Sequence, residues 1–398
     1  MTASLRLISE WVVPVDGDRI IVNGAIDIDT TGTIVAIGPE SDLEPAPADR
    51  RVVGGVLMPG LVNTHAHTPM TLMRSAGDGL PLESWLIDAV WPREGVMTPD
   101  DARVGMMLGS AEMLLAGVTT SCEMYLFEEH VVEGTRATGA RLVITPGIIA
   151  ALHGSTFGTG ASRADAVAEF ARSHHDPTGL VTIGVGPHST YDLTPEQIGE
   201  LAAMARDVGT FIHVHLEETR VERERVINQH GAPATEMLAA EGVFTGPVLA
   251  AHGVWLSDSD RVILAEAGTA IAHNPVSNLK LGSGIMPLRK TLDAGVLVGL
   301  GTDGPASNDN LSLWQELALA PLLARGTGHN AGIVDASTAL RLATADGAAA
   351  LGLNVGQLEV GRPADIIRLD AGHPALAPAL DEDLITGIVF AGGPHLVT

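Results

Sequence analysis

The chain has 398 residues, 45% of them hydrophobic, and 48 acids against 23 bases leave a formal charge of −25. Such a field repels nucleic acid unless a basic patch intervenes, and the main basic cluster, Arg220 to Arg225, alternates with glutamates as a solvated helix face does. No apolar run reaches the roughly 20 residues of a membrane span, no signal-peptide pattern opens the chain, and the lone Cys122, which reads as a packed core thiol, makes a disulfide within the chain impossible, so a reducing, cytoplasmic setting is expected.

Residues 1–55 read as short strands and turns, with Ile20-Ile21-Val22 closing on a turn at Asn23-Gly24 and further strands over 25–28 and 33–38. From Val56 the rhythm changes. Short apolar, β-rich runs over 56–62, 118–124, 142–149, 181–187, 210–216, 247–252, 269–273 and 297–301 alternate with helical stretches over 100–116, 163–174, 195–208, 222–241, 258–267 and 311–323. Strands alternating with helices in this way predict an α/β fold, a (β/α)8 TIM barrel. No Gly-x-Gly-x-x-Gly follows the first strand, which argues against two doubly wound domains. After a helix over 336–350, short strands return near 356–358, 361–363 and 364–369. The two ends, 1–55 and 356–398, are therefore expected to build one small β-sandwich domain, with the catalytic barrel over 56–355.

Barrel enzymes place their chemistry where strands end. The first run ends in His65-Ala66-His67, and residues two apart on a strand share a face, so both imidazoles can reach one ion. The fifth ends in His213-Val214-His215, either of which could be a ligand; His215, nearer the strand end, is preferred, and His213 reads as a buried, hydrogen-bonded barrel residue. Glu218, three residues on, can reach a metal-bound water without binding the metal. The sixth run delivers His252 and the eighth Asp303, a carboxylate too costly after so apolar a strand unless paired or ligating. Histidines and an aspartate drawn from four strand ends make a metal site with one position open for water. The fourth run delivers His188, and Glu94 follows Trp91-Pro92-Arg93 in a loop. His174, His175, His230 and His329 lie in polar or helical surroundings and read as surface residues.

At these residues the sequence resembles a known family. Pro59-Gly60-Leu61-Val62-Asn63-Thr64-His65-Ala66-His67, His213–Glu218 and Gly301-Thr302-Asp303-Gly304 resemble the strand-1, strand-5 and strand-8 signatures of the amidohydrolase superfamily. Asn274-Pro275-Val276-Ser277-Asn278 through Gly284, with Ser307-Asn308, is similar to the branch holding methylthioadenosine/S-adenosylhomocysteine deaminases and triazine chlorohydrolases. The resemblance implies metal ligands at His65, His67, His215 and Asp303, and a proton shuttle at Glu218 that also contacts substrate. Asp303 and His252 would then activate and orient the attacking water, Glu94 would bind ribose hydroxyls, and His188 would touch substrate. It implies one zinc ion, with iron or manganese as other fits, a small-molecule substrate and a homo-oligomer. The only lysines, Lys280 and Lys290, lie far downstream of strand 4, so a lysine-bridged two-metal centre is disfavoured. Relatives that accept S-adenosylhomocysteine carry an arginine after strand 3. Here 144–148 carries none, the following 153–162 is rich in Gly, Ser and Thr, and Glu123 stands where the family usually has aspartate. The chain also ends at Thr398, short of the family's final strands. The expected activity is hydrolytic deamination of adenosine or a neutral 5′-modified adenosine; hydrolysis of another N-heterocycle, such as guanine, a pterin, cytosine or a triazine, is the alternative.

Overall fold

A computed structural model describes residues 2–43, 47, 49–150 and 160–398. The chain divides into two compact units, one of 1–62, 113–119 and 312–398, the other of 63–112 and 120–311.

In the first unit β1 (Leu5–Val12), β2 (Ile21–Ile28) and β3 (Ile34–Pro39) form an antiparallel meander. Two short strands run parallel to β1, β4 (Asp49–Val52) along its first half and β5 (Val56–Pro59) at its end. Val12, Ile21, Ile26, Ile34, Leu57 and Leu358 pack as its apolar cluster. Within this layer Arg6 is buried and paired through two hydrogen bonds to Asp27, at 2.6 and 2.8 Å. The turn expected at Asn23-Gly24 does not form. β2 runs straight through it, with Asn23 at φ 49°, because the pairing with β1 continues on both sides. The run over 56–62 is broken at Gly60, where a β-carbon would collide with Thr119 Oγ1 and Asp365 Oδ1.

The barrel strands follow in chain order, the first two beginning in the first unit and the rest lying in the second: β6 (Leu61–Ala66), β7 (Val118–Tyr125), β8 (Arg141–Ile148), β9 (Val181–Ile183), β10 (Gly186–Pro187), β11 (Ile212–Leu216), β12 (Val248–His252), β13 (Ala270–His273) and β14 (Leu297–Leu300). Neighbouring strands among them pair in parallel, and β9 and β10 share one barrel position beside β8. Parallel bridges Val185–Ile212 and Ser189–His215 carry the sheet to β11, and Ala66–Asp303 closes it. Strands buried on both faces read as unbroken apolar runs, and β11, β12 and β13 are buried along their whole length.

The helix expected over 222–241 is two, Arg220–His230 and Ala234–Ala240. Gly231 ends the first at φ 80° and Pro233 caps the second. The helix over 336–350 likewise divides into Ala336–Leu342 and Ala345–Ala350. Of the strands expected after 355, one forms, β15 (Ile366–Leu369), antiparallel to β5, and an unforeseen helix follows at Leu384–Ala391. The Gly/Ser/Thr-rich 153–162 lies outside the described residues, apart from backbone at 160–162. Among the described residues, no helix is long and apolar enough to cross a membrane.

Candidate active site

The ends of β6, β11, β12 and β14 deliver His65 and His67, His215 and Glu218, His252, and Asp303 to one place. Ligand atoms of His65, His67 and Asp303 all lie within 4.8 Å of one another, as do those of His65, His215 and His252. Three residues at these strand ends take left-handed backbone without being glycine, Glu217 (φ 51°), His252 (φ 75°) and Asp303 (φ 61°). Each such residue costs about 1–3 kcal/mol and persists where the surrounding fold dictates it.

Hydrogen bonds settle which ring atoms face the centre. His67 Nδ1 donates to the Met124 carbonyl at 2.6 Å, and His215 Nδ1 to the His188 carbonyl at 2.7 Å. Each ring therefore turns its Nε2 inward, bare whenever the ring is neutral. On Asp303, Ser277 and Ser307 both donate to Oδ2, at 2.5 and 2.9 Å. That leaves Oδ1 facing His65 Nε2 at 3.4 Å and His67 Nε2 at 3.2 Å. His65 Nε2 is buried with no hydrogen-bond partner among the described residues. Donors about 2.0–2.1 Å from a tetrahedral ion stand about 3.4 Å apart, so these separations and this orphaned nitrogen fit a transition metal.

Beside the centre, Glu218 Oε2 lies 3.7 Å from His252 Nε2, and Ser283 donates to Oε1 at 3.3 Å. Asn278 Oδ1 holds His252 Nδ1 at 2.8 Å. Glu94 is buried, and it is the last residue of a helical turn, Trp91–Glu94, rather than part of a loop. His188 is buried with its ring 3.8 Å from Asp192. His213 turns away from the centre, to His65 and Thr145. Glu123 accepts two hydrogen bonds from Thr68, at 2.8 and 2.7 Å, and so anchors the turn that follows His67. Cys122 is buried, as a core thiol should be. His174, His230 and His329 are exposed and His175 half-buried.

The electrostatics follow from burial. Loss of solvation drives His65 down to about 3 against the pull of Asp303. It also pulls on His67, but Asp303 more than reverses it, to about 9. Burial works against the Asp303 carboxylate too, yet His65 and His67 hold it well below the usual range. Burial raises Glu218, and lifts Glu94 to about 7 against the neighbouring His67 and Tyr125. His188 falls to about 4 for the same reason, opposed by Asp192.

Sequence reading passed over Ser277, Ser283, Ser307, Tyr125 and Asn278 as individuals. Ser277, Asn278, Ser283 and Ser307 stand in the motifs that carry the resemblance, but spacing does not say which atom each one meets. Glu222 was also missed. It is 4% exposed, accepts from the Glu218 backbone N–H at 2.8 Å and from Thr190 at 3.1 Å, and burial lifts it to about 8 from 4.5. A carboxyl raised on folding contributes stability that is full below its unfolded pKa of about 4.5 and is lost as pH climbs through about 8. Glu222→Gln keeps one accepting oxygen, offers the Thr190 hydroxyl an amide donor in place of the other, and removes the titration. Its thermal midpoint should fall less than that of wild type between pH 5 and 9, with the curves closing or crossing at the alkaline end; parallel curves would count against a raised Glu222.

The fold and site together define a parallel (β/α)8 barrel with a histidine–aspartate centre, of the kind that holds a metal at the barrel mouth. Residues 56–394 match the profile of the amidohydrolase family, and the chain belongs to that family, whose members are hydrolases, here of carbon–nitrogen bonds. It is 38% identical over 396 residues to a 5-methylthioadenosine/S-adenosylhomocysteine deaminase of Pelotomaculum thermopropionicum, covering 98% of this chain and 89% of that one. It is 38% identical over 338 residues to a 5′-deoxyadenosine deaminase of Methanothermobacter thermautotrophicus, covering 84% of this chain and 79% of that one. The crystal structure of an adenosine deaminase from Xanthomonas campestris with bound zinc superposes with a TM-score of 0.93 at 32% identity, covering 100% of this chain and 91% of that one.

Proposed function

We propose that the chain is a zinc-dependent deaminase of 6-aminopurine nucleosides, converting adenosine or a 5′-modified adenosine into its inosine analogue and ammonia. The observation that carries this reading is Glu218, a buried acid set beside the histidine–aspartate centre. Breaking the exocyclic C–N bond needs a proton on the ring nitrogen, and a buried carboxyl with a raised pKa can give one.

His65, His67, His215 and Asp303 would hold one ion, leaving a position open. Zinc suits mixed imidazole and carboxylate donors, and iron or manganese also fits them. Bound there, such an ion would acidify water and make it a nucleophile near neutral pH. Asp303 accepts the proton that water gives up. His252, fixed by Asn278, orients the water. Glu218 protonates the ring nitrogen next to the carbon under attack. Glu94 and His188 line the same cavity and would contact ribose and substrate. That cavity, about 50 Å³, shares Leu82, Leu86, Trp91, Tyr191 and Leu281 with a wider chamber of about 690 Å³, which has room for a 5′ group.

A preference for neutral 5′ groups is read from the pairing of the nearby guanidiniums: in the wider chamber Arg220 and Arg225 face Glu224 and Glu83, and a third guanidinium reaches the end of β8. Arg163 spends both Nη atoms on Glu128, at 2.8 and 2.9 Å, and Nε on the Gly147 carbonyl at 3.2 Å. It has little left for a substrate carboxylate. The same reading takes 56–355 as the catalytic domain and 1–55 with 356–398 as a small β-sandwich domain, supported by β15 joining the sheet of β1 to β5. A cytoplasmic homo-oligomer completes it, by family resemblance and the single cysteine.

The test is loss of adenine absorbance with ammonia release on adenosine, 5′-methylthioadenosine, 5′-deoxyadenosine and S-adenosylhomocysteine. Turnover of the three neutral nucleosides, with a much lower kcat/KM for the fourth, is the expected pattern. Silence on all four with zinc bound would move the substrate to guanine, a pterin or a triazine.

A further inference from the structure

We propose that Thr145 and His213 form a one-way hydrogen-bond relay that fixes the tautomer of His65, and so decides whether His65 can bind a metal. Both are positioning residues, and the proposal rests on His65 being a ligand.

The direction of the relay follows from counting protons. The relay takes the single Thr145 hydroxyl proton to the Glu123 carbonyl, which can only accept and lies 3.0 Å from Oγ1. The same oxygen lies 2.9 Å from His213 Nδ1 and has only lone pairs left to offer. Two lone pairs cannot face each other at that distance, so His213 Nδ1 carries a proton and donates it. His213 is fully buried, which disfavours a charged ring. A neutral imidazole has one N–H, so His213 Nε2 is bare. It stands 2.9 Å from His65 Nδ1, which must therefore be the donor. His65 Nε2 is then bare as well, and it is this atom that faces Asp303.

His65 differs in this from its neighbours. His67 and His215 take their tautomers from main-chain carbonyls of Met124 and His188, which no side-chain change can reverse. The tautomer of His65 hangs on two side chains from other strands. Without the Thr145 acceptor, the His213 proton is better placed on Nε2. It would then donate to His65 Nδ1, and the proton of His65 would move to Nε2, where it blocks a ligand bond. Cys122 Sγ, 3.6 Å from His213 Nδ1, is too weak an acceptor to replace the hydroxyl.

Thr145→Val keeps the shape and removes the acceptor. The zinc affinity of the apo-protein, measured by competition with a chromophoric chelator, is expected to fall about 10–100-fold, as for other outer partners of ligating histidines. Thr145→Ser and Cys122→Ala should bind as wild type does, and Thr145→Val saturated with zinc should recover most of its kcat. Independently of any variant, the ring 15N shifts of the wild-type apo-protein should show His213 protonated at Nδ1. Unchanged affinity in Thr145→Val, an equal loss in Thr145→Ser or Cys122→Ala, or a His213 protonated at Nε2 would each overturn the relay while leaving the deaminase reading intact. A wild-type protein that binds no zinc would overturn both.

Discussion

Glu218→Gln should lower kcat on adenosine by about 10²–10⁴-fold and leave the bound metal in place. The argument is steric as much as chemical. Glu218 is 2% exposed, and Ser283 donates to one of its oxygens. Glutamine fills the same volume and still accepts from Ser283, but it has no acidic proton for a ring nitrogen. Burial raises the Glu218 pKa, against the opposing influence of His252, so the acid form is favoured where the reaction needs it. Glu218 is outside the proposed ligand set, so zinc content should stay that of wild type. Metal analysis beside steady-state kinetics checks both halves: unchanged turnover would remove Glu218 from the mechanism, and lost zinc would make it a ligand.

Stripping the metal with a chelator should take deamination to background and lower the thermal midpoint, with both restored by stoichiometric zinc. The four proposed ligand side chains present ring nitrogens and a carboxylate oxygen to one buried point, and His65 Nε2 has no hydrogen-bond partner among the described residues. An ion that binds only the folded chain stabilises it by about 2.7 kcal/mol at 100 times its Kd. Parallel activity assays and thermal melts of apo- and reconstituted protein measure this. Full activity in a protein shown to be metal-free would sink the proposed centre, and a melt that ignores zinc would place the ion elsewhere.

The barrel was legible because its strands are buried on both faces. Complete burial forces continuous apolar runs, and those runs stand out between helical stretches. The N-terminal sheet was harder to read. Asn23-Gly24 has the local chemistry of a turn, yet pairing along β1 overrides it. Helix ends also depended on single residues: Gly231 and Pro233 break what a hydrophobic period alone makes one helix.

For the site, position in the chain was enough to nominate His65, His67, His215, Glu218, His252 and Asp303, because polar groups that end apolar strands must meet at a barrel mouth. It could not separate the two histidines of His213-Val214-His215 by more than nearness to the strand end. That choice falls to hydrogen-bond geometry, which sends His213 to Thr145 and His65 and His215 to the centre. The roles of Ser277, Ser307, Asn278 and Glu222 likewise depend on which atoms lie within 3 Å or so across the barrel, a distance no spacing encodes. What the sequence determined by itself is the fold class and the chemistry on offer, because burial and strand periodicity are written residue by residue. What only the tertiary structure decided is which polar atoms meet across the barrel, because a hydrogen bond between residues far apart in the chain exists only once the barrel closes.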